Sequence, residues 1–173
     1  MPIAPNAPRY IQLTQGKQTL VDASDYEWLN RYKWFAHKGG KGSKSGYIAE
    51  RLIRPISRGP QVPEKMARKI MDVTDPNLEV DHKNHDTLDN RRKNLRIVTS
   101  AQNSQNRRRR SDNSSGYKGI SNASIQEGVP RWRVRIQANG HGKHLGYFKT
   151  LEEAVAAYQA AAIEMHGEFA CLE

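Results

Sequence analysis

The sequence predicts an α+β protein in two parts, and three observations carry that reading. Residues 78 to 106 follow a strand, loop, strand, helix pattern. Arg107-Arg108-Arg109-Arg110 is followed by Ser111-Asp112-Asn113-Ser114-Ser115. Four consecutive guanidinium groups cannot pack in a core, so this run reads as a linker. Beyond it, three short strand-like segments lead into one capped helix, the pattern of a three-stranded antiparallel sheet packed on a helix. The divisions expected are 1–106, a basic linker at 107–115, and 116–173.

The opening of the chain reads as a hairpin. Tyr10 to Leu13 and Thr19 to Val21 flank Gln15-Gly16-Lys17, which has turn chemistry. An apolar helical stretch is expected from Tyr26 to Tyr32, an exposed Gly/Lys/Ser loop at 38–46, and a strand from Tyr47 to Ile53. Pro63 before Glu64 to Met71 predicts a helix with proline in its first turn.

The chain of 173 residues carries a net charge of +10, with 36% hydrophobic and 27% charged residues. Residues 1–106 hold 18 basic against 11 acidic side chains, net +7, and residues 107–173 hold 10 against 7, net +3. Both parts therefore suit a polyanion. One cysteine, Cys171, excludes an internal disulfide and a cysteine-rich zinc site. A reducing intracellular setting is expected. Met-Pro-Ile-Ala-Pro has the form of neither a signal peptide nor an anchor, and no apolar run approaches the roughly 20 residues that span a bilayer.

The chemistry-bearing residues lie between Val80 and Asn103. Leu78 to Lys83 alternates as a strand, Asn84-His85-Asp86 is a turn, and Leu95 to Val98 returns as a strand. Thr99 and Gln102 form a capping box that starts a helix at Ser100. Asp81 and His82 are adjacent, so on a strand their side chains point to opposite faces. Asn103 lies in the first turn of the helix. A carboxylate and an amide carbonyl are hard oxygen donors of the kind Mg²⁺ accepts, and His82 can take a proton near neutral pH. Taken singly, Asp81, Asn94 and Asn103 read equally well as caps; their combined spacing, 13 steps from Asp81 to Asn94 and 22 to Asn103, points to a site.

These residues resemble the HNH nuclease family and its ββα-metal core. The likeness covers the Asp81-His82 pair, Asp89-Asn90-Arg91, Asn94-Leu95-Arg96 and Asn103, at separations found in phage-type homing endonucleases. It implies Asp81 and Asn103 as ligands of Mg²⁺ or Mn²⁺, His82 as general base, and Asn94 as the residue that holds the loop and orients His82. Two departures stand out. His85 stands where many relatives have glycine, either as a turn residue in a left-handed conformation or as a further polar contact. Met66-Ala67-Arg68 stands where many carry a His-Arg pair. Arg91, Arg92 and Arg96 would hold phosphates or make structural salt bridges.

In the C-terminal part, Arg131 to Gln137 alternates strictly, with Trp132, Val134 and Ile136 on one face and Arg131, Arg133, Arg135 and Gln137 on the other. Arginines on such a sheet can read guanine edges in a major groove. Gly116 to Ile120 and His144 to Phe148 are expected as the outer strands, Asn139-Gly140 as a hairpin turn, and Thr150 with Glu153 as the capping box of a helix from Leu151 to about His166. Ala154, Tyr158, Ala161 and Met165 would line its inner face. Residues from about 115 to 173 resemble the Apetala-two/ethylene-response-factor DNA-binding domain through Gly116-Tyr117-Lys118-Gly119-Ile120, Trp132, Leu145-Gly146-Tyr147-Phe148 and His166-Gly167-Glu168-Phe169-Ala170. That likeness implies DNA contacts from Lys118, Arg131, Arg133 and Arg135, with Ser121 where relatives often have arginine.

Together these readings predict a sequence-directed DNA endonuclease acting on double-stranded DNA, a homing or mobile-element enzyme, monomeric or weakly dimeric. It would work in the cytoplasm of a bacterial or phage-infected cell, near the nucleoid. Arg107, Arg108, Arg109 and Arg110 would lie along phosphates or the minor groove, and nine linker residues reach about 30 Å, close to one turn of DNA. The alternative is a DNA-binding regulator that keeps a nuclease-like scaffold without cutting.

Overall fold

A computed structural model describes residues 7–39, 45–55, 59–109, 113–126, 129–138 and 140–172. The chain is a mixed α/β protein that divides into two compact units, Met1–Thr99 and Ser100–Glu173. The division falls between the last strand of the first unit and the helix that follows it.

Three small sheets build the first unit. β1 (Arg9–Gln12) and β2 (Gln18–Val21) pair antiparallel around a tight turn, Thr14–Gly16. The turn is tight because Gln15 and Gly16 both take positive φ, and Leu13 N donates to Lys17 O at 2.8 Å. α1 spans Ala23–Leu29, three residues earlier at each end than the apolar stretch suggested. It starts behind Asp22, whose main-chain oxygen accepts from Asp25 N (3.0 Å) and Tyr26 N (3.2 Å).

β3 (Phe35–Lys38), β4 (Tyr47–Ile53) and β5 (Val62–Lys65) form a second antiparallel sheet. β3 was not expected; it falls in front of the 38–46 loop, of which 40–44 lie outside the described residues. The helix expected from Glu64 is corrected. Pro63 sits in the edge strand β5, opposite Leu52 of β4, and helix α2 spans only Met66–Ile70. An edge strand tolerates proline because its missing N–H faces away from the ladder.

β6 (Leu78–His82) and β7 (Leu95–Thr99) pair antiparallel in the register Asp81↔Arg96 and His82↔Leu95. The core of this unit gathers Ile11, Val21, Leu29, Ala36, Ala49, Met66 and Leu95 from all three sheets and both helices. Ala67 is buried there, so a larger side chain at that position would have to displace core. Beside it, Arg68 donates to the main-chain oxygens of Val73 (3.0 Å), Asp75 (2.8 Å) and Leu78, bracing the entry to β6.

The second unit opens with α3 (Ser100–Asn106), then a sheet of β8 (Ile120–Gln126), β9 (Val129–Ala138) and β10 (His141–Phe148) with β9 central. The first of these strands starts at Ile120 rather than Gly116. Gly116 and Gly119 take φ of +80° and +72° and make a turn in front of it. Gly140 also has positive φ in the β9–β10 turn, whose other expected residue, Asn139, lies outside the described residues. α4 (Leu151–His166) begins on the reciprocal Thr150/Glu153 capping box. It lays Ala154, Tyr158 and Ala162 against Ile120, Val134 and Ile136, with Ala161 and Met165 at the margin. His166 Nε2 donates to Gln137 O at 2.8 Å and ties the end of α4 to β9. Among the described residues no helix is long and apolar enough to cross a membrane.

Candidate active site

The site lies at the end of β6, where Asp81 and His82 point to opposite sides of the strand. Both are buried, 8% and 6% exposed. Asp81 is held from across the hairpin: Arg96 Nε and Nη2 both reach its Oδ2, at 2.9 and 2.8 Å. His82 turns to the other side, where its Nε2 lies 3.1 Å from Asn90 Oδ1. Burial pushes the His82 pKa below the ordinary imidazole value. The Asn90 hydrogen bond and the carboxylates of Asp81, Asp86 and Asp89 pull the other way and lose. His82 is therefore a neutral imidazole at pH 7, the form that accepts a proton.

The loop from Lys83 to Asn94 is shaped by side chains that replace missing backbone partners. Asn94 closes its base: its Oδ1 accepts from Asn84 N (3.1 Å), its Nδ2 donates to Asp89 O (2.7 Å), and its main-chain oxygen accepts from Lys83 N (2.9 Å). Asn94 thus holds the loop through main-chain groups, while the contact with the His82 ring comes from Asn90. His85 takes φ +62° and donates its N–H to His82 O at 2.9 Å. It is a turn residue in the left-handed region, which explains glycine as an alternative there.

The loop is also tied to the N-terminal hairpin. Leu20 N donates to Leu88 O and Asn90 N to Leu20 O, each at 2.8 Å, so residues 88–90 extend the edge of β2. Asn90 Nδ2 donates to Thr19 Oγ1 at 2.8 Å, and Thr19 Oγ1 to Leu88 O at 2.8 Å. Asn90 and Thr19 went unremarked as site residues in the sequence, because a separation of 71 positions conceals the pairing.

The arginines near the loop are engaged within the fold. Arg91 Nε and Nη2 reach Asp89 Oδ1 and Oδ2 at 2.7 and 2.6 Å, holding the Asp89 carboxyl below its usual range. Arg92 reaches both oxygens of buried Asp25 at 2.8 Å and donates its N–H to Asp22, joining the loop to α1. These are the structural salt bridges that the sequence left open beside phosphate binding.

In the second unit, Asn103 is half-buried on α3. Lys118 points its ammonium at the carbonyls of Gln105 (2.7 Å) and Arg107 (2.6 Å) at the end of that helix. Burial lowers its pKa. It lines a cleft of about 650 Å³ with Arg107, Arg108 and Arg109; Arg110 lies outside the described residues. On the outer face of the C-terminal sheet, Arg133 stands between Ser121 and Tyr147, and donates to Ser121 Oγ at 3.3 Å. Arg135 is exposed opposite His144, and Arg131 is half-buried opposite Ala123.

The buried Asp81 carboxylate is a hard oxygen donor of the kind divalent cations take. Among the described residues no group of three or more His, Cys, Asp or Glu side chains forms a cage. An ion at Asp81 would share that carboxylate with Arg96.

Comparison with known proteins fits this geometry. Residues 49–105, from β4 to α3, match the model of the HNH endonuclease family. The chain is 30% identical over 161 residues to an uncharacterised HNH endonuclease of Acanthamoeba polyphaga mimivirus, covering 91% of this chain and 76% of the viral protein. No solved structure matches the chain significantly. The protein belongs to the HNH endonuclease family.

Proposed function

We propose that this protein is a sequence-directed DNA endonuclease that hydrolyses phosphodiester bonds with His82 as general base and one divalent metal ion. The observation that carries the reading is His82: buried, neutral and hydrogen-bonded at Nε2, one residue from the carboxylate of Asp81. A fixed neutral imidazole beside a buried carboxylate is suited to activating water next to a bound phosphate.

Within that reading each residue has a task. His82 accepts a proton from water aimed at phosphorus. Asn94 keeps the loop closed so that the strand end carrying His82 stays in place. Asp81 and Asn103 would hold the ion, Mg²⁺ or Mn²⁺, whose chemistry is stabilisation of charge on the transition state and the departing 3′ oxygen. The C-terminal unit, with its resemblance to the Apetala-two fold, is the DNA-reading module through Arg131, Arg133 and Arg135. The segment from Arg107 to Arg110 adds positive charge for the DNA backbone. A homing or mobile-element role, with duplex DNA as substrate, follows from the family likeness. A single site of this kind cuts one strand per event.

A non-cutting DNA-binding role is favoured by one observation, the hold of Arg96 on Asp81 Oδ2. Digestion of a random DNA library with Mg²⁺, followed by end mapping, separates the two. Cutting leaves 5′-phosphate and 3′-hydroxyl ends clustered in a shared sequence context. Intact DNA that is nevertheless retained in a binding assay supports the regulator.

A further inference from the structure

The hydrogen-bond chain behind His82 has a direction. Thr19 Oγ1 lies 2.8 Å from Leu88 O and 2.8 Å from Asn90 Nδ2. A carbonyl oxygen only accepts, so the hydroxyl gives its one proton to Leu88 O. Oγ1 then faces Asn90 as an acceptor, and the Asn90 group opposite it must be the amide nitrogen. That turns the amide oxygen toward His82 Nε2, 3.1 Å away. An amide oxygen also only accepts, so Nε2 carries the ring proton. The lone pair of the neutral ring is left on Nδ1.

Solvent cannot substitute for these partners, because Thr19 and Asn90 are 0% and 1% exposed. A flipped Asn90 amide would set two acceptors against each other at Thr19, in a place with no water to relieve them. The polarity is also anchored at its far end, since Leu88 O accepts from Leu20 N at 2.8 Å as well and is fixed by the β2 edge.

We propose that Thr19, on the N-terminal hairpin, is a positioning residue that acts through Asn90 to select the Nε2–H tautomer of His82 and so present Nδ1 as the proton-accepting atom. The last step rests on the nuclease reading; the tautomer does not.

The test is ¹⁵N NMR of the full chain at about pH 8, where an imidazole is neutral, with the His82 ring signals assigned by their loss in His82→Gln. The wild-type ring is expected to show a protonated Nε2 and an unprotonated Nδ1. Thr19→Val removes the hydroxyl, frees the Asn90 amide to rotate, and is expected to move the ring toward Nδ1–H. Thr19→Ser restores the wild-type pattern. In DNA cleavage, Thr19→Val is expected to lower kcat on the order of 10-fold or more with KM unchanged, and Ser to recover it. A wild-type ring protonated at Nδ1, or a Thr19→Val ring indistinguishable from wild type, overturns the proposal. If Thr19→Val does not fold, Thr19→Cys takes its place, because a thiol is a weak donor and acceptor. An intermediate tautomer ratio then supports the proposal and an unchanged ratio overturns it. Failure of the wild-type chain to cut DNA would count against the nuclease reading and leave the tautomer result standing.

Discussion

Arg96 stands directly across the β6–β7 pair from Asp81, and two of its nitrogens converge on one carboxylate oxygen, Oδ2, at 2.9 and 2.8 Å. Both side chains are about nine-tenths buried, 11% and 9% exposed. Removing one partner of a buried pair costs about 3 kcal/mol. Arg96→Ala is therefore expected to lower stability by that order in metal-free urea unfolding. Millimolar Mg²⁺ should restore part of the loss, because the ion supplies the missing positive charge at Asp81. Equal Mg²⁺ stabilisation of wild type and variant would place the ion elsewhere.

The His82 pKa gives a pH dependence with a definite sign. Its folded-state value lies below the unfolded value of 6.5. Between the two, the unfolded chain binds the extra proton, so stability rises with pH. The contribution is fully present above pH 6.5 and is lost as pH falls from there toward the lower folded value. Urea midpoints of wild type and His82→Gln, measured without metal between about pH 5 and pH 8, should converge on the acid side. Parallel curves would mean that burial does not penalise the imidazolium.

Gly119 and Gly140 separate crowding from backbone strain. Both have positive φ, +72° and +80°. A Cβ at Gly119 would lie 2.3 Å from Tyr158 Cε2 and 2.4 Å from Arg135 O, whereas one at Gly140 meets nothing within 4 Å. Gly140→Ala should cost about 1 kcal/mol, the strain of a left-handed alanine. Gly119→Ala should cost several times more and unfold the C-terminal unit, since Tyr158 and the β9 main chain cannot both yield. Thermal unfolding followed by near-UV circular dichroism would report both; similar losses would refute the contact argument.

Legibility in the sequence followed the range of the interactions. The strand that carries Asp81 and His82 and the returning strand after Asn94 could be read because both are local, and the turn residues announce themselves. α4 could be read to the residue because Thr150 and Glu153 lie three apart. The Thr19–Asn90 contact could not, because nothing within a few residues of Thr19 marks it as other than a strand threonine. Pro63 misled for a related reason. Proline suits both the first turn of a helix and an edge strand, and only the pairing with Leu52 decides between them. Arg92 shows the same limit, since its partner Asp25 is 67 positions away.

Lys118 and Arg135 should differ in what they do for DNA binding. The Lys118 ammonium is turned onto two carbonyls at the end of α3, while Arg135 is exposed on the sheet face. Arg135→Ala is expected to weaken DNA binding and reduce the slope of log K against log salt by about 1. Lys118→Met should leave that slope unchanged and lower thermal stability instead. Filter binding across a salt series distinguishes them, and a slope change from Lys118→Met would make it a phosphate contact.

The central claim is that a neutral His82 takes the proton from the attacking water. Its most direct measurement is single-turnover cleavage of target DNA with Mg²⁺ by wild type and His82→Ala, with DNA binding followed in parallel. The expected result is a rate lower by on the order of 10² to 10⁴ for the variant with binding unchanged. A variant that binds DNA and cuts it at the wild-type rate would contradict the account.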